Sequence, residues 1–172
     1  DPMVGAGDLL GMITQHFYET LYTFDKNWAL TPLLAETLPQ ISDGGKVYTI
    51  PLRQGVTFHN GKAMTAQDVV ASLKRWTELA SRGKLVADNI ASIEASDEKT
   101  VKITLKAPFA PLTALLAFNN SAAVIMPADK MENPIKEVIG TGPYQLKERK
   151  PDQYIQLVRF DGYKQRQGEP DG

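Results

Sequence analysis

Cysteine is absent from the 172 residues. Its absence removes disulfides, thiol nucleophiles, thiolate metal sites and iron–sulfur clusters together. It does not fix the compartment. Histidine is scarce, with only His16 and His59. Neither belongs to an H-x-x-x-H or H-E-x-x-H pattern, so metal-ligand spacing is missing. Both read as partly buried or surface histidines. Charge of one sign is not in excess: 19 Lys and Arg against 20 Asp and Glu leave a net charge of −1. A strongly basic nucleic-acid binder is thereby excluded, and nothing draws the chain to an anionic membrane. Long apolar runs are missing too. The stretch from Leu112 to Phe118 is far too short to span a bilayer. No G-x-S-x-G elbow occurs. The pair Asp97 and Glu98 sits in a turn signal, where solvation accounts for it. The sequence reads as non-enzymatic, with no cofactor and no metal.

What is present is an ordinary globular composition, 42% hydrophobic and 23% charged. A chain of this length can bury roughly 70% of its unfolded surface and needs no staples. It opens at Asp1-Pro2 without an initiator Met and ends in a polar run, so it reads as a piece of a longer protein.

Asp8 is expected to cap a helix carrying Leu10, Ile13, Phe17 and Leu21, whose steps of about 3 and 4 lie on one face. Asp25, Lys26 and Asn27 then make a turn. Pro32 suits the first turn of a short helix over Thr31 to Leu38. Lys46 to Leu52 alternates as a strand, with Asp43-Gly44-Gly45 before it. Val56 and Phe58 suggest a short strand stopped at Asn60-Gly61. Thr65-Ala66-Gln67-Asp68 is the clearest helix start, a capping box. That helix carries Val69, Val70, Leu73, Trp76 and Leu79, and is expected to end at Ser81-Arg82-Gly83. Ile90 to Ala95 and Thr100 to Lys106 form a hairpin around Ser96-Asp97-Glu98. Pro111 to Ala117 reads as a short helix. Ser121 to Met126 reads as a buried strand, and Ala128 to Met131 as one helical turn. Tyr144 to Arg149 and Tyr154 to Phe160 are strands joined at Lys150-Pro151-Asp152. A total of about four helices and seven strands, not strictly alternating, favours a mixed α/β or α+β fold with largely antiparallel pairs.

Four features invite a functional reading. Gly140-Thr141-Gly142-Pro143 lacks the Lys-Ser/Thr of a phosphate loop, and Pro143 removes a donor. It is either a tight loop between strands or a backbone edge that a ligand can approach; the former is favoured. Gly5-Ala6-Gly7 poses the same choice. Trp28 and Trp76 read as core or hinge packing. Lys74, Arg75, Arg82 and Lys84 read as a solvated basic face diluted by Glu78 and Asp88.

A series of short words carries a resemblance. In order they are Tyr18-Glu19-Thr20-Leu21-Tyr22, then Pro32-Leu33-Leu34-Ala35-Glu36, then Tyr48 to Gly61 with Leu52-Arg53-Gln54-Gly55-Val56 and Phe58-His59-Asn60-Gly61. Thr65 to Val70, Ile139-Gly140-Thr141-Gly142-Pro143-Tyr144 and Phe160-Asp161-Gly162-Tyr163 follow. In this order and spacing the chain resembles the family 5 extracellular solute-binding proteins, the peptide- and nickel-type receptors of bacterial ABC importers. The resemblance covers essentially the whole chain, and Asp1-Pro2 resembles the Asp-Pro after that family's first strand.

The resemblance implies a type II periplasmic-binding-protein fold, of which this chain supplies the first lobe plus an extra subdomain, the second lobe being absent. Residues 1–20 and 127–172 would belong to the first lobe and 21–126 to the extra subdomain. It implies capture of a solute in a closing cleft, oligopeptides or dipeptides first. A nickel chelate, haem, glutathione or a sugar remain alternatives within the family. A peptide hydrolase, or a permease-docking module without solute, are alternatives of another class. By position, the resemblance places Ala6, Gly7, Asp8, Phe118, Asn119, Asn120, Gly142, Pro143 and Tyr144 at the ligand. It implies ABC permease subunits as partners, no nucleic acid, and a periplasmic or lipid-anchored location. The exposed lobe face would favour self-association. Residues after Tyr163 are expected to be weakly ordered.

Overall fold

Apolar residues at every second position build the central sheet. The structure, a computed structural model, describes residues 1–5 and 7–166. Strands β1 (Tyr22–Phe24) and β2 (Leu30–Pro32) form a small antiparallel hairpin. Strands β3 (Gln40–Ser42), β4 (Val47–Pro51), β5 (Ile90–Asp97) and β6 (Thr100–Leu105) form one sheet in the order β3-β4-β6-β5, antiparallel throughout. Tyr48 lies opposite Ile103, and Ile50 opposite Val101. All four are buried, so the alternation in both strands points to one covered face.

The cover is helix α2 (Ala66–Leu79), which turns Val69, Leu73 and Trp76 inward. Its start is fixed locally. The Thr65 N–H donates to the Asp68 carboxylate at 2.9 Å, and the Thr65 hydroxyl donates to the same oxygen at 2.8 Å. The other Asp68 oxygen accepts from the Ala128 N–H at 2.9 Å, which ties the Ala128–Lys130 3₁₀ turn to the helix. Helix α1 (Asp8–Thr14) precedes this unit, and α3 (Ser81–Ala87), α4 (Leu112–Leu115) and the hairpin β7 (Tyr144–Lys150) and β8 (Tyr154–Arg159) complete the chain.

Several expectations need correction. The helix α1 ends at Thr14; Phe17 and Leu21 are buried beyond it. Gly7, not Asp8, is its N-cap, and Asp8 occupies the first turn. Thr31 to Leu38 is not a helix. Its backbone is used by neighbours distant in sequence: Leu33 and Ala35 N–H donate to the Leu21 carbonyl, at 2.9 and 3.1 Å. Val56 and Phe58 make only an isolated bridge, Thr57 to Ala63. Ser81-Arg82-Gly83 does not end a helix but begins α3, with Ala80 extended between the two helices. Gly83 is there because a Cβ would lie 2.1 Å from the Trp76 carbonyl oxygen.

Ser121 to Met126 is buried as expected, yet pairs with no strand among the described residues. Its polar groups go to side chains and to turns of the N-terminal segment. The Met126 N–H donates to Ser72 Oγ at 2.9 Å, and Trp76 Nε1–H donates to the Ser121 carbonyl at 2.9 Å. The Ile125 N–H donates to the Glu19 carbonyl at 2.9 Å, and Ala122 N–H to that of Pro2 at 3.2 Å. A buried backbone needs partners, and these four scattered ones stand where a neighbouring strand would.

The basic face is also corrected. Arg75 is buried and forks onto the Asp1 carboxylate. Arg82 sits over Phe118, its guanidinium carbon 4.0 Å from the ring centre.

Candidate functional site

The Phe118–Asn120 segment is where α1 and α3 meet. Gly11 of α1 packs so tightly on it that a Cβ would stand 2.9 Å from the Asn119 carbonyl oxygen. From the other side Arg82 donates to Asn120, with Nε 3.0 Å and Nη2 2.8 Å from its Oδ1. These two anchors hold the segment while leaving its outer edge open.

Two cavities flank that edge. One, of about 260 Å³, is lined by Gln15, Tyr18, Glu19, Thr23, Asn119, Pro143 and Tyr163 among others. The second, of about 270 Å³, is lined by Gln15, Thr23, Phe24, Asp25, Trp28, Ala117, Phe118 and Asn119. Gln15, Thr23, Ala117 and Asn119 belong to both, so the two form one groove with an amide-rich middle. Side-chain amides offer donors and acceptors at once, which suits a ligand presenting peptide groups.

Glu19 closes the inner end. It is buried, and its carboxylate accepts from the Tyr163 hydroxyl at 3.1 Å. Burial pushes the Glu19 carboxyl above its ordinary range; the Tyr163 hydroxyl, Arg53 and Arg166 pull the other way. Burial likewise raises the Tyr18 hydroxyl to about 12.

The outer end carries an aromatic ladder. Phe24 lies 5.3 Å from Phe118 and 6.0 Å from Trp28, centre to centre. Trp28 is 80% exposed, so its reading as core or hinge packing is overturned; Trp76, at 1%, is core.

The residues singled out from the sequence separate into groups. Asn119 and Pro143 line the inner cavity, and Phe118 and Asn119 the outer one. Asn120 is engaged by Arg82. Gly7 is open to solvent, with nothing within 4 Å of a Cβ position, and Asp8 is exposed beside it. Ala6 lies outside the described residues. Gly142 is buried and its backbone is already used: its N–H donates to the Phe17 carbonyl at 2.9 Å, and its carbonyl accepts from His59 Nε2 at 2.9 Å. Tyr144 packs on His16, ring centres 5.9 Å apart. Gly142 and Tyr144 therefore shape the rim and do not line either cavity. Gly140 and Gly142 are required by close packing on the backbone of residues 16–17, where a Cβ would meet carbonyl oxygens at 2.1 and 2.6 Å. The tight-loop reading is the one this geometry favours.

Sequence reasoning did not single out Gln15, Thr23 or Asp25 as groove residues. Nothing local marks them; they converge only through the β1–β2 hairpin folding back beside α1. Among the described residues, the two Ser-x-x-Lys spacings, Ser81 to Lys84 and Ser96 to Lys99, form no serine–lysine hydrogen bond. Ser81 Oγ pairs instead with Ser121 Oγ at 2.9 Å.

Residues 164–166, expected to be weakly ordered, are engaged by hydrogen bonds in this structure. Arg53 donates to the Lys164 and Gln165 carbonyls, and Arg166 to that of Pro32 at 2.9 Å. The remainder of that tail lies outside the described residues.

The model of bacterial extracellular solute-binding proteins, family 5 (middle), matches residues 29–172. The glutathione-binding protein GsiB of Escherichia coli K12 is 37% identical over 169 residues, which is 95% of this chain and 32% of that protein. The fold superposes on AgaA of A. tumefaciens R10, solved with agropinic acid, with a TM-score of 0.82 at 32% identity over 96% of this chain and 34% of that one. It superposes equally, at 0.82 and 29% identity, on the periplasmic binding protein DppA of Helicobacter pylori in complex with the peptide STSA, over 95% of this chain and 37% of that one. The chain thus spans about a third of the length of the relatives it matches. The mixed α/β architecture and its type II periplasmic-binding neighbours agree with the fold expected from the sequence.

Proposed function

Because the chain belongs to the family 5 bacterial extracellular solute-binding proteins, we propose that it forms one wall of a solute-capture cleft, serving an ABC importer, with a short peptide as the solute. The relatives are named as binding proteins, not enzymes. Their solutes include glutathione, itself a tripeptide, and the peptide STSA. One observation carries the reading: the groove between α1 and the β1–β2 hairpin is centred on the amides of Gln15 and Asn119.

The helices also expose apolar side chains. The helix α1 buries Gly11 and Thr14 but leaves Leu9 69% and Met12 58% exposed, and Leu85 of α3 is 69% exposed. An apolar surface rimmed by polar groups marks something that is covered in use. In a two-lobed receptor the cover is the solute and the opposing lobe. Residues 1–20 and 127–172 would form the first lobe and 21–126 its extra subdomain, with the protein in the periplasm or lipid-anchored at the outer face of the membrane. Of the residues proposed to contact the ligand, Asn119, Phe118 and Pro143 line the groove, Asn120 is held by Arg82, and Gly7 and Asp8 are exposed at the start of α1.

Native mass spectrometry of protein purified under non-denaturing conditions tests this. A co-purified short peptide, displaced by an added peptide pool and lost in Asn119→Ala, is the expected result. Saturable hydrolysis of that peptide by clean protein, abolished by one substitution, would overturn it.

A further inference from the structure

The outer end of the groove has chemistry that the reading above does not use. Trp28 is held with φ of +61°, a conformation disfavoured for so bulky a side chain, and that turn leaves its indole in solvent. Asp25 shapes the turn with one oxygen only: its Oδ1 accepts from the Asn27 and Ala29 N–H groups at 2.8 and 2.9 Å. Among the described residues no cation pairs with the Asp25 carboxylate, although Lys26 adjoins it. The rings of Trp28, Phe24 and Phe118 follow one another, and all three line the same 270 Å³ cavity as Asp25. At the far end of the ladder the ring of Phe118 already accepts a guanidinium, that of Arg82.

We propose that Asp25, Trp28 and Phe24 form a subsite for an organic cation, the guanidinium or ammonium side chain of a basic residue in the solute. The reasoning is electrostatic. Aromatic faces carry negative charge density and attract cations, indole most strongly. An adjacent carboxylate with a free oxygen adds attraction of the same sign and repels an acidic side chain. The cavity has room for one Lys- or Arg-sized chain, and the Gln15 and Asn119 amides lie at its inner side to take the main chain. A neutral aromatic side chain would gain the stacking but nothing from Asp25. The subsite deepens the peptide-receptor reading and rests on it for the identity of the solute, but its affinity for a cation does not.

The chain has two tryptophans, Trp28 exposed and Trp76 buried, so indole signals separate site from core. The experiment titrates Nα-acetyl-arginine amide, and its uncharged isostere Nα-acetyl-citrulline amide, into the 172-residue protein and follows the indole N–H resonances. The arginine compound is expected to shift Trp28 saturably, about fivefold tighter than the citrulline compound, while Trp76 stays still. Asp25→Asn keeps the oxygen that caps the turn and is expected to bring the two compounds close to parity. In Trp28→Leu, shifts of the Gln15 and Asn119 side-chain amides by the arginine compound are expected to vanish, with Trp76 reporting an intact fold. Equal affinity for the two compounds in the unmodified protein, or a charge preference that survives Asp25→Asn, overturns the proposal. A tri-alanine arm separates the readings. Failure of that peptide to shift Gln15 and Asn119 counts against peptide capture, whereas the Trp28 result stands by itself.

Discussion

The imidazole of His59 holds Gly142 from 83 residues away, its Nε2 2.9 Å from the Gly142 carbonyl oxygen. Its other nitrogen, Nδ1, accepts from the Gly140 N–H at 3.3 Å, and the His59 N–H donates to the Gly140 carbonyl at 2.9 Å. The two ring contacts together require the neutral tautomer with the proton on Nε2. One side chain thus fixes the loop that carries Pro143 to the groove. Phe160 braces it, ring centre 5.0 Å away.

His59→Ala is expected to cost about 2–4 kcal/mol, from two lost side-chain hydrogen bonds and a void beside Phe160. The native protein should also show the histidine in its pH profile. Burial holds the folded-state pKa below the ordinary 6.5. Below 6.5 the unfolded chain therefore binds more protons than the folded one, and stability falls as the pH drops from there through the folded value. Denaturant midpoints between pH 7.5 and 5 for the two proteins check this. A parallel decline in both would assign the slope to another group.

Glycines at the rim and at the approach should respond oppositely. Gly142→Ala places a Cβ 2.6 Å from the His16 carbonyl oxygen, while Gly7→Ala meets nothing within 4 Å. The first is expected to lose about 1–3 kcal/mol, the second to change stability by less than about 0.5 kcal/mol. Thermal melts of the two variants decide it. Equal melting temperatures would mean that the residue 16–17 backbone yields at no cost.

These positions show what is legible without a structure. The Thr65 cap was legible because its partner Asp68 is three residues on, and the β5–β6 hairpin because alternation and a turn suffice. Thr31 to Leu38 was not, because the Leu21 carbonyl that captures its N–H groups lies ten residues or more upstream. Ser121 to Met126 showed its burial through composition but not its lack of a ladder, since Ser72 and Trp76 replace strand neighbours. At the groove, Phe118, Asn119 and Pro143 came from resemblance alone. Gln15, Thr23 and Asp25 are common residues in unmarked positions, brought together only by tertiary folding. Trp28 reads as packed because large aromatics are usually buried, whereas its positive-φ turn leaves the indole in solvent.

Arg75 and Asp1 form a nearly buried pair joining α2 to the start of the chain. Removing one partner leaves a charge without solvent. Asp1→Ala is expected to destabilise by about 3–5 kcal/mol. The double variant Asp1→Ala, Arg75→Met should recover much of that loss, since an apolar side chain of similar reach replaces the stranded guanidinium. Chemical denaturation of the three proteins tests the order. A double variant no more stable than Asp1→Ala would show that Arg75 acts through packing on Met3, whose sulfur lies 3.1 Å from its Nη1.

Glu19 gives the opposite pH sign to His59. Its folded-state pKa is raised above the ordinary 4.5 by burial. The folded protein therefore binds more protons above 4.5, and stability is lost as the pH rises from there through the folded value. Glu19→Gln keeps an oxygen for the Tyr163 hydroxyl and removes the titration. It is expected to flatten the stability profile above pH 4.5 and to match or exceed the native protein at pH 7.5. A variant less stable than the native protein at every pH would show that the charge is needed, through Arg53 and Arg166.

Leu9 and Met12 decide whether the apolar surface of α1 is structural or is a surface that meets something. Both are mostly exposed, so neither contributes much to the core, and Leu85 of α3 is as exposed as Leu9. Replacing exposed apolar residues by polar ones away from the core changes stability by less than about 0.5 kcal/mol each. The same replacement removes the surface through which two copies could shield their apolar area from water. The 172-residue chain is therefore expected to sediment with a concentration-dependent increase in mass. The triple variant Leu9→Ser, Met12→Ser, Leu85→Ser should remain monomeric at the same concentrations with an unchanged melting temperature. If the surface is instead the wall of a solute cleft, saturating peptide should also suppress the association of the native chain, because solute and second copy compete for the same residues. A native chain that stays monomeric at high concentration would sink the self-association. Association that the triple variant retains would move it to another face, such as the exposed Tyr154, Ile155 and Val158 of β8.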